Sequence, residues 1–141
     1  MAALRPFHLA FPVRSLEEAR AFYGTLLGCD EGRSSNEWVD FDFFGHQIVA
    51  HLTPNAPEHK AQNLVDGAAV PVRHFGVILT MDAWQALVER LLKSKAQFLI
   101  TPQTRFEGQP GEQATFFISD PSGNALEFKA MADPAKLFAK N

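Results

Sequence analysis

A single cysteine, Cys29, in 141 residues excludes an internal disulfide and fits a reducing compartment. It follows Gly28 at the end of a helical pattern, where it reads as a small buried hydrophobe rather than a reactive thiol. No apolar run reaches the ~18 residues of a membrane span. Arg5, Pro6 and His8 interrupt the segment in which a signal peptide would carry its hydrophobic stretch. The 13 Lys and Arg are outnumbered by 16 acidic residues, for a net charge of −3, and they form no cluster, so nothing favours nucleic acid or an anionic membrane as partner. No Gly-rich phosphate loop follows a strand pattern, no Gly-x-Ser-x-Gly turn occurs, and Cys29 has no evident activating base. These absences leave a cytoplasmic globular protein acting on a small-molecule substrate.

Tyrosine is also scarce, one residue against 13 Phe and two Trp. Many of the phenylalanines alternate as in a strand, which predicts a sheet covered by helices on one side and open on the other. Phe7 to Val13 sets Phe7, Leu9, Phe11 and Val13 on a core face and His8, Ala10 and Pro12 on the opposite one. Ser15 followed by Glu18 forms a capping-box pattern, and Leu16, Ala19, Phe22 and Tyr23 give the helix its buried stripe until Gly28. Glu37 to Phe43 and Gln47 to Leu52 alternate around Gly45-His46, with Gln47, Val49 and His51 on one face. Thr53 to Pro71 has linker composition, and His59 within it reads as a solvated loop residue.

The plan then repeats. His74-Phe75-Gly76-Val77 echoes Phe7-His8-Leu9-Ala10, and a helix follows from Thr80 or Asp82 with Trp84, Leu87, Val88 and Leu91 inside. A short strand spans Phe98 to Ile100, a loop Pro102 to Gly111, and a strand Ala114 to Ser119. After the reversal Asp120-Pro121-Ser122-Gly123-Asn124, the last strand places Ala125, Glu127 and Lys129 on one face. The fold class is α+β: one domain of two βαβββ units, at about 5–53 and 72–131, joined by a linker at about 54–71 and followed by a tail. Together the units predict a curled, partly open mixed sheet with helices outside.

His8, His51, His74 and Glu127 all fall on the faces turned away from the helices. A lone strand histidine is ordinarily a hydrogen-bonded core residue, but four agreeing positions in a duplicated sheet suggest a metal centre. Two imidazoles and a carboxylate match the facial triad preferred by Fe(II), and similar donors hold Mn, Zn, Ni or Co. Glu127, between Leu126 and Phe128, is costly to bury without a cation, although Lys129 or solvent could also satisfy it.

The segments Phe7–Val13, Ala21–Gly28, His74–Val77 and Phe117–Lys129 together closely resemble the vicinal oxygen chelate superfamily, which includes glyoxalase I, extradiol dioxygenases, fosfomycin-resistance transferases and bleomycin-binding proteins. The resemblance implies His8, His74 and Glu127 as metal ligands. It sets His51 where glyoxalase I enzymes carry a glutamate ligand, which turns the comparison towards the extradiol iron triad. Phe43–His51 and Gly108–Gln113 also resemble small predicted dioxygenases of that type. The implied protein is a metal-dependent oxidoreductase, homodimeric and without a membrane or nucleic-acid partner, that chelates a substrate with vicinal oxygens. His51 would be its acid or base, and Arg105 and His46 would contact substrate. A glyoxalase I-type lyase or isomerase and a metal-free binding protein that holds a flat ligand against Trp38 and Phe41 are the alternatives.

Overall fold

Alternation in the first strand survives folding, but the strand starts one residue late. In the computed structural model, which describes residues 4–55, 62–65 and 68–140, β1 runs His8–Val13 and Phe7 precedes it, 64% exposed rather than in the core. His59 lies outside the described residues. The chain divides into two compact units, Met1–Glu58 with Asp120–Ser122, and His59–Ser119 with Gly123–Asn141.

In the first unit, β1 pairs in parallel with β4 (His46–Leu52). β3 (Trp38–Phe43) and β2 (Glu31–Ser34) extend the sheet antiparallel, giving the order β1-β4-β3-β2. Phe11, Val13, Val39, Phe41, Phe43, Ile48 and Ala50 form its core face, packed with Ala19, Phe22, Tyr23 and Leu27 of the helical segment, and Val49 is buried as well. That segment opens as α1 (Leu16–Ala19), with Ser15 Oγ accepting from the Glu18 N–H at 3.2 Å. The Glu18 carboxylate does not close a capping box. It accepts instead from Arg14 Nε and Nη2 at 2.7 and 2.9 Å, and these bonds hold the carboxyl below its ordinary range.

From Arg20 to Leu26 the helix widens to π geometry, with Leu27 N–H donating to Phe22 O at 2.9 Å. The wider turn brings the adjacent residues Phe22 and Tyr23 both into the core. Tyr23 is enclosed by the rings of Phe11, Phe22 and Phe41, and its hydroxyl donates to Asp120 Oδ2 at 2.8 Å. Burial, reinforced by Asp120, pushes the Tyr23 hydroxyl well above its ordinary value. Gly28 ends the helix at φ 77°, and Cys29 is free and buried as its position implied.

In the second unit, β7 (His74–Leu79) pairs in parallel with β10 (Ala125–Met131). β9 (Gln113–Ser119) and β8 (Phe98–Arg105) complete the order β7-β10-β9-β8. α2 (Met81–Lys93), capped by Thr80, covers this sheet with Trp84, Leu87 and Leu91, and Trp84 Nε1 donates to Phe128 O at 2.9 Å. Phe116 lies at the centre of this core, against Phe98, Trp84 and Phe128.

Two βαβββ units are therefore present, each with an open four-stranded mixed sheet, as the sequence predicts. Further differences have local causes. The strand expected to stop at Ile100 continues to Arg105, and register shifts on either side of Ile100 conceal its alternation. Pro102 is tolerated because β8 is an edge strand. β2 is exposed throughout and carries no apolar signal. The linker region contains a hairpin, β5 (Gln62–Val65) with β6 (Ala68–Pro71), and a 3-10 turn, Pro134–Lys136, lies in the tail. No described helix is long and apolar enough to cross a membrane.

Candidate functional site

Register fixes which side chains share a face. In the first sheet His8 pairs with Gln47, Ala10 with Val49 and Pro12 with His51, while Trp38 and Asp40 stand across from His51 and Val49. His8, Trp38, Asp40, Gln47, Val49 and His51 accordingly line one open cavity of about 250 Å³, joined by Arg33 from β2. Gln47 Nε2 donates to Asp40 Oδ2 at 3.1 Å, which turns the amide oxygen towards His8 Nδ1, 2.7 Å away. An amide oxygen only accepts, so Nδ1 is the donor and Nε2 is the ring nitrogen left outside this bond.

The second sheet repeats this arrangement. His74 Nδ1 lies 2.7 Å from Pro71 O, which also only accepts, so Nδ1 is a donor and Nε2 is the ring nitrogen turned towards Glu127. That nitrogen stands 3.3 Å from Glu127 Oε1. Glu127 is 8% exposed; its Oε2 accepts from Thr115 Oγ1 at 2.6 Å, and Lys129 Nζ is 3.9 Å from Oε1. Phe117 fixes the imidazole plane edge-on at 4.9 Å. An imidazole nitrogen and a carboxylate oxygen that face each other in a half-buried place can share a proton or hold a metal ion. The pair therefore fits metal binding by its donor chemistry, and the bonds behind it, Pro71 O to His74 and Thr115 to Glu127, are of the kind that orient metal ligands.

Gly76 is required for this arrangement. It pairs with Glu127, and a Cβ at Gly76 would overlap the Glu127 carbonyl oxygen.

His74 and Glu127 are thus brought together on the second sheet, and His8 and His51 on the first. Among the described residues no group of three or more His, Cys, Asp or Glu stands close enough to hold a metal ion. The position two residues beyond the partner of the first-strand histidine is Val49 in the first unit and Glu127 in the second, so His51 corresponds to Lys129. His46 is on the opposite face from His8, and its Nδ1 accepts from the Phe7 N–H at 2.7 Å, so it does not join the cavity. Phe41 is also turned away, into the core, and only Trp38 of the expected aromatic pair lines the cavity. Arg105 ends β8 opposite Gln113, on the face of Thr115, with its guanidinium 4.8 Å over the Phe106 ring. Gln47, Thr115 and Arg33 escaped sequence reasoning. Thr115 had a weak signal, a polar residue alternating in register with Phe117, whereas Gln47 needed knowledge of strand pairing.

A family model of the Glyoxalase/Bleomycin resistance protein/Dioxygenase superfamily matches residues 5–128. The chain belongs to that superfamily. A glyoxalase/bleomycin resistance protein/dioxygenase from Alicyclobacillus acidocaldarius is 35% identical, with a TM-score of 0.81 over 95% of this chain and 96% of that one. A fosfomycin resistance protein from Listeria monocytogenes shares the fold at 15% identity and a TM-score of 0.68, over 96% of this chain and 98% of that one. A glyoxalase/dioxygenase from Nostoc punctiforme does so at 17% and 0.64, over 94% and 99%. No curated protein sequence matches the chain. Members of the glyoxalase/bleomycin resistance/dioxygenase superfamily commonly use divalent metals, bind small molecules and often act as dimers.

Proposed function

We propose that this chain is a cytoplasmic metal-dependent enzyme, an extradiol dioxygenase-like oxidoreductase acting on a small substrate with two adjacent oxygens. His8, His74 and Glu127 are its metal ligands, and Fe(II) is the preferred ion, with Mn, Zn and Ni compatible with the same donors. The observation that carries the reading is the 3.3 Å approach of His74 Nε2 to a buried carboxylate oxygen of Glu127. His8 supports it, because its Gln47–Asp40 relay leaves the same nitrogen free.

When bound, the metal supplies Lewis acidity and a template for the two substrate oxygens. The chain's own residues have separate tasks. Pro71 and Thr115 hold the imidazole and carboxylate of the ligand pair in place. His51, at the cavity rim, accepts or releases a proton on the substrate. Arg105 pairs with an anionic substrate group.

Metal analysis of protein purified anaerobically, beside Glu127→Gln, tests this. Stoichiometric iron or manganese that is lost in the variant, with oxygen uptake on catechols, is the expected result. Zinc or nickel, with isomerisation of a glutathione adduct and no oxygen uptake, replaces the dioxygenase by a glyoxalase-type enzyme. No metal in either protein overturns the mechanism and leaves a binding module.

A further inference from the structure

Outside the ligand pair, the cavity over the first sheet combines three features that an enzyme needing only a metal would not require. Arg33 is exposed at its rim and has no ion-pair partner among the described residues. Two other arginines of that unit differ, Arg20 pairing with Glu31 at 2.8 Å and Arg14 with Glu18 at 2.7 Å, while Arg5 lies ahead of β1 and outside the cavity. Trp38 is half-buried, and its indole N–H makes no hydrogen bond among the described residues. Trp84, by contrast, is buried and donates to Phe128 O, as a packing tryptophan does. Val49, buried on β4 opposite Asp40, provides an apolar floor.

We infer that this cavity binds an aryl carboxylate, with the ring on Trp38 and Val49 and the carboxylate on Arg33. The inference deepens the reading above by naming a substrate class, and it rests on that reading only in sharing His8. The residue types set the ligand class. A guanidinium presents a planar fork of N–H donors that matches a carboxylate, and an indole presents a face suited to a flat ring. Asp40 gives the cavity polarity. Its Oδ2 already accepts from Gln47, and its negative charge directs an incoming carboxylate away from that wall and towards Arg33. Size agrees as well: about 150 Å³ suffices for benzene, so about 250 Å³ takes a ring with a carboxylate.

Benzoate, titrated calorimetrically into protein stripped of metal with a chelator, is the first probe. Saturable binding is expected, weakened about tenfold or more in Arg33→Gln and in Trp38→Leu, with Arg33→Lys intermediate because it keeps the charge but not the fork. In 15N spectra the Trp38 indole signal should move on titration and the Trp84 signal stay, which locates the ligand without relying on any variant. Cyclohexanecarboxylate should bind more weakly than benzoate, and benzylamine more weakly still. Equal affinity for cyclohexanecarboxylate, tighter binding of benzylamine, an unmoved Trp38 signal or no benzoate binding each overturns the inference. Glu127→Gln separates the two proposals. It should retain benzoate affinity while losing metal: metal kept by the variant, or absent from both proteins, removes the enzyme mechanism alone, and loss of benzoate binding removes this site alone.

Discussion

Tyr23, the sole tyrosine, is fully buried, and its hydroxyl is committed to Asp120, itself 4% exposed. Tyr23→Phe would take the donor from Asp120 Oδ2, while Oδ1 keeps the Ser122 N–H, and is expected to cost about 1–3 kcal/mol in denaturant unfolding. The same bond has a pH signature. In the unfolded chain tyrosine ionises near 10, whereas in the folded chain burial and Asp120 keep the proton on to higher pH. The folded state therefore binds more protons above that point, so this contribution is complete below about pH 10 and is lost as pH rises further. Unfolding measured at about pH 8 and about pH 11 should show a smaller alkaline loss for Tyr23→Phe than for wild type. At this scale His74 and Glu127 could be picked out from alternation alone. Of their partners, Thr115 had only the weak signal of a polar residue on an apolar strand, and Pro71 had none, because a carbonyl has no chemical signal until a neighbour faces it.

Helix starts behave as local motifs. Ser15 Oγ caps at 3.2 Å from Glu18 N, and Thr80 Oγ1 at 3.2 Å from Ala83 N. Ser15→Ala and Thr80→Ala should each lower stability by about 1 kcal/mol, read as a reduced midpoint in thermal unfolding followed by circular dichroism. Elements with clean periodicity, β1, β3, β4 and α2, were legible in the sequence. Those without it were not: β2 has no apolar residue turned inward, β8 is broken by two register shifts, and the π turn after Ala19 depends on accommodating both Phe22 and Tyr23 against the sheet. Glu18 shows how a correct motif can be half used, its backbone N–H held by Ser15 and its carboxylate drawn off by Arg14.

At the scale of the molecule, duplication gives each unit the same strand order and leaves β1 and β2 as the edges of one sheet, β7 and β8 of the other. Exposed edges offer unpaired backbone donors and acceptors to a second chain, and the chain is expected to be a homodimer. Light scattering should then give twice the 15.6 kDa of one chain, and a mass equal to 15.6 kDa would reject it. The repeat of histidine-led strands was visible in the linear sequence because alternation and caps depend on residues only a few positions apart. The duplicated fold and the side of each strand that carries polar groups followed from that local periodicity. Register did not. Gln47 orients His8 across 39 residues, Asp120 meets Tyr23 across 97, and Val49 rather than His51 takes the position equivalent to Glu127. Strands so far apart in sequence can align in several registers with the same apolar face inward, and packing and backbone pairing over the whole sheet select one.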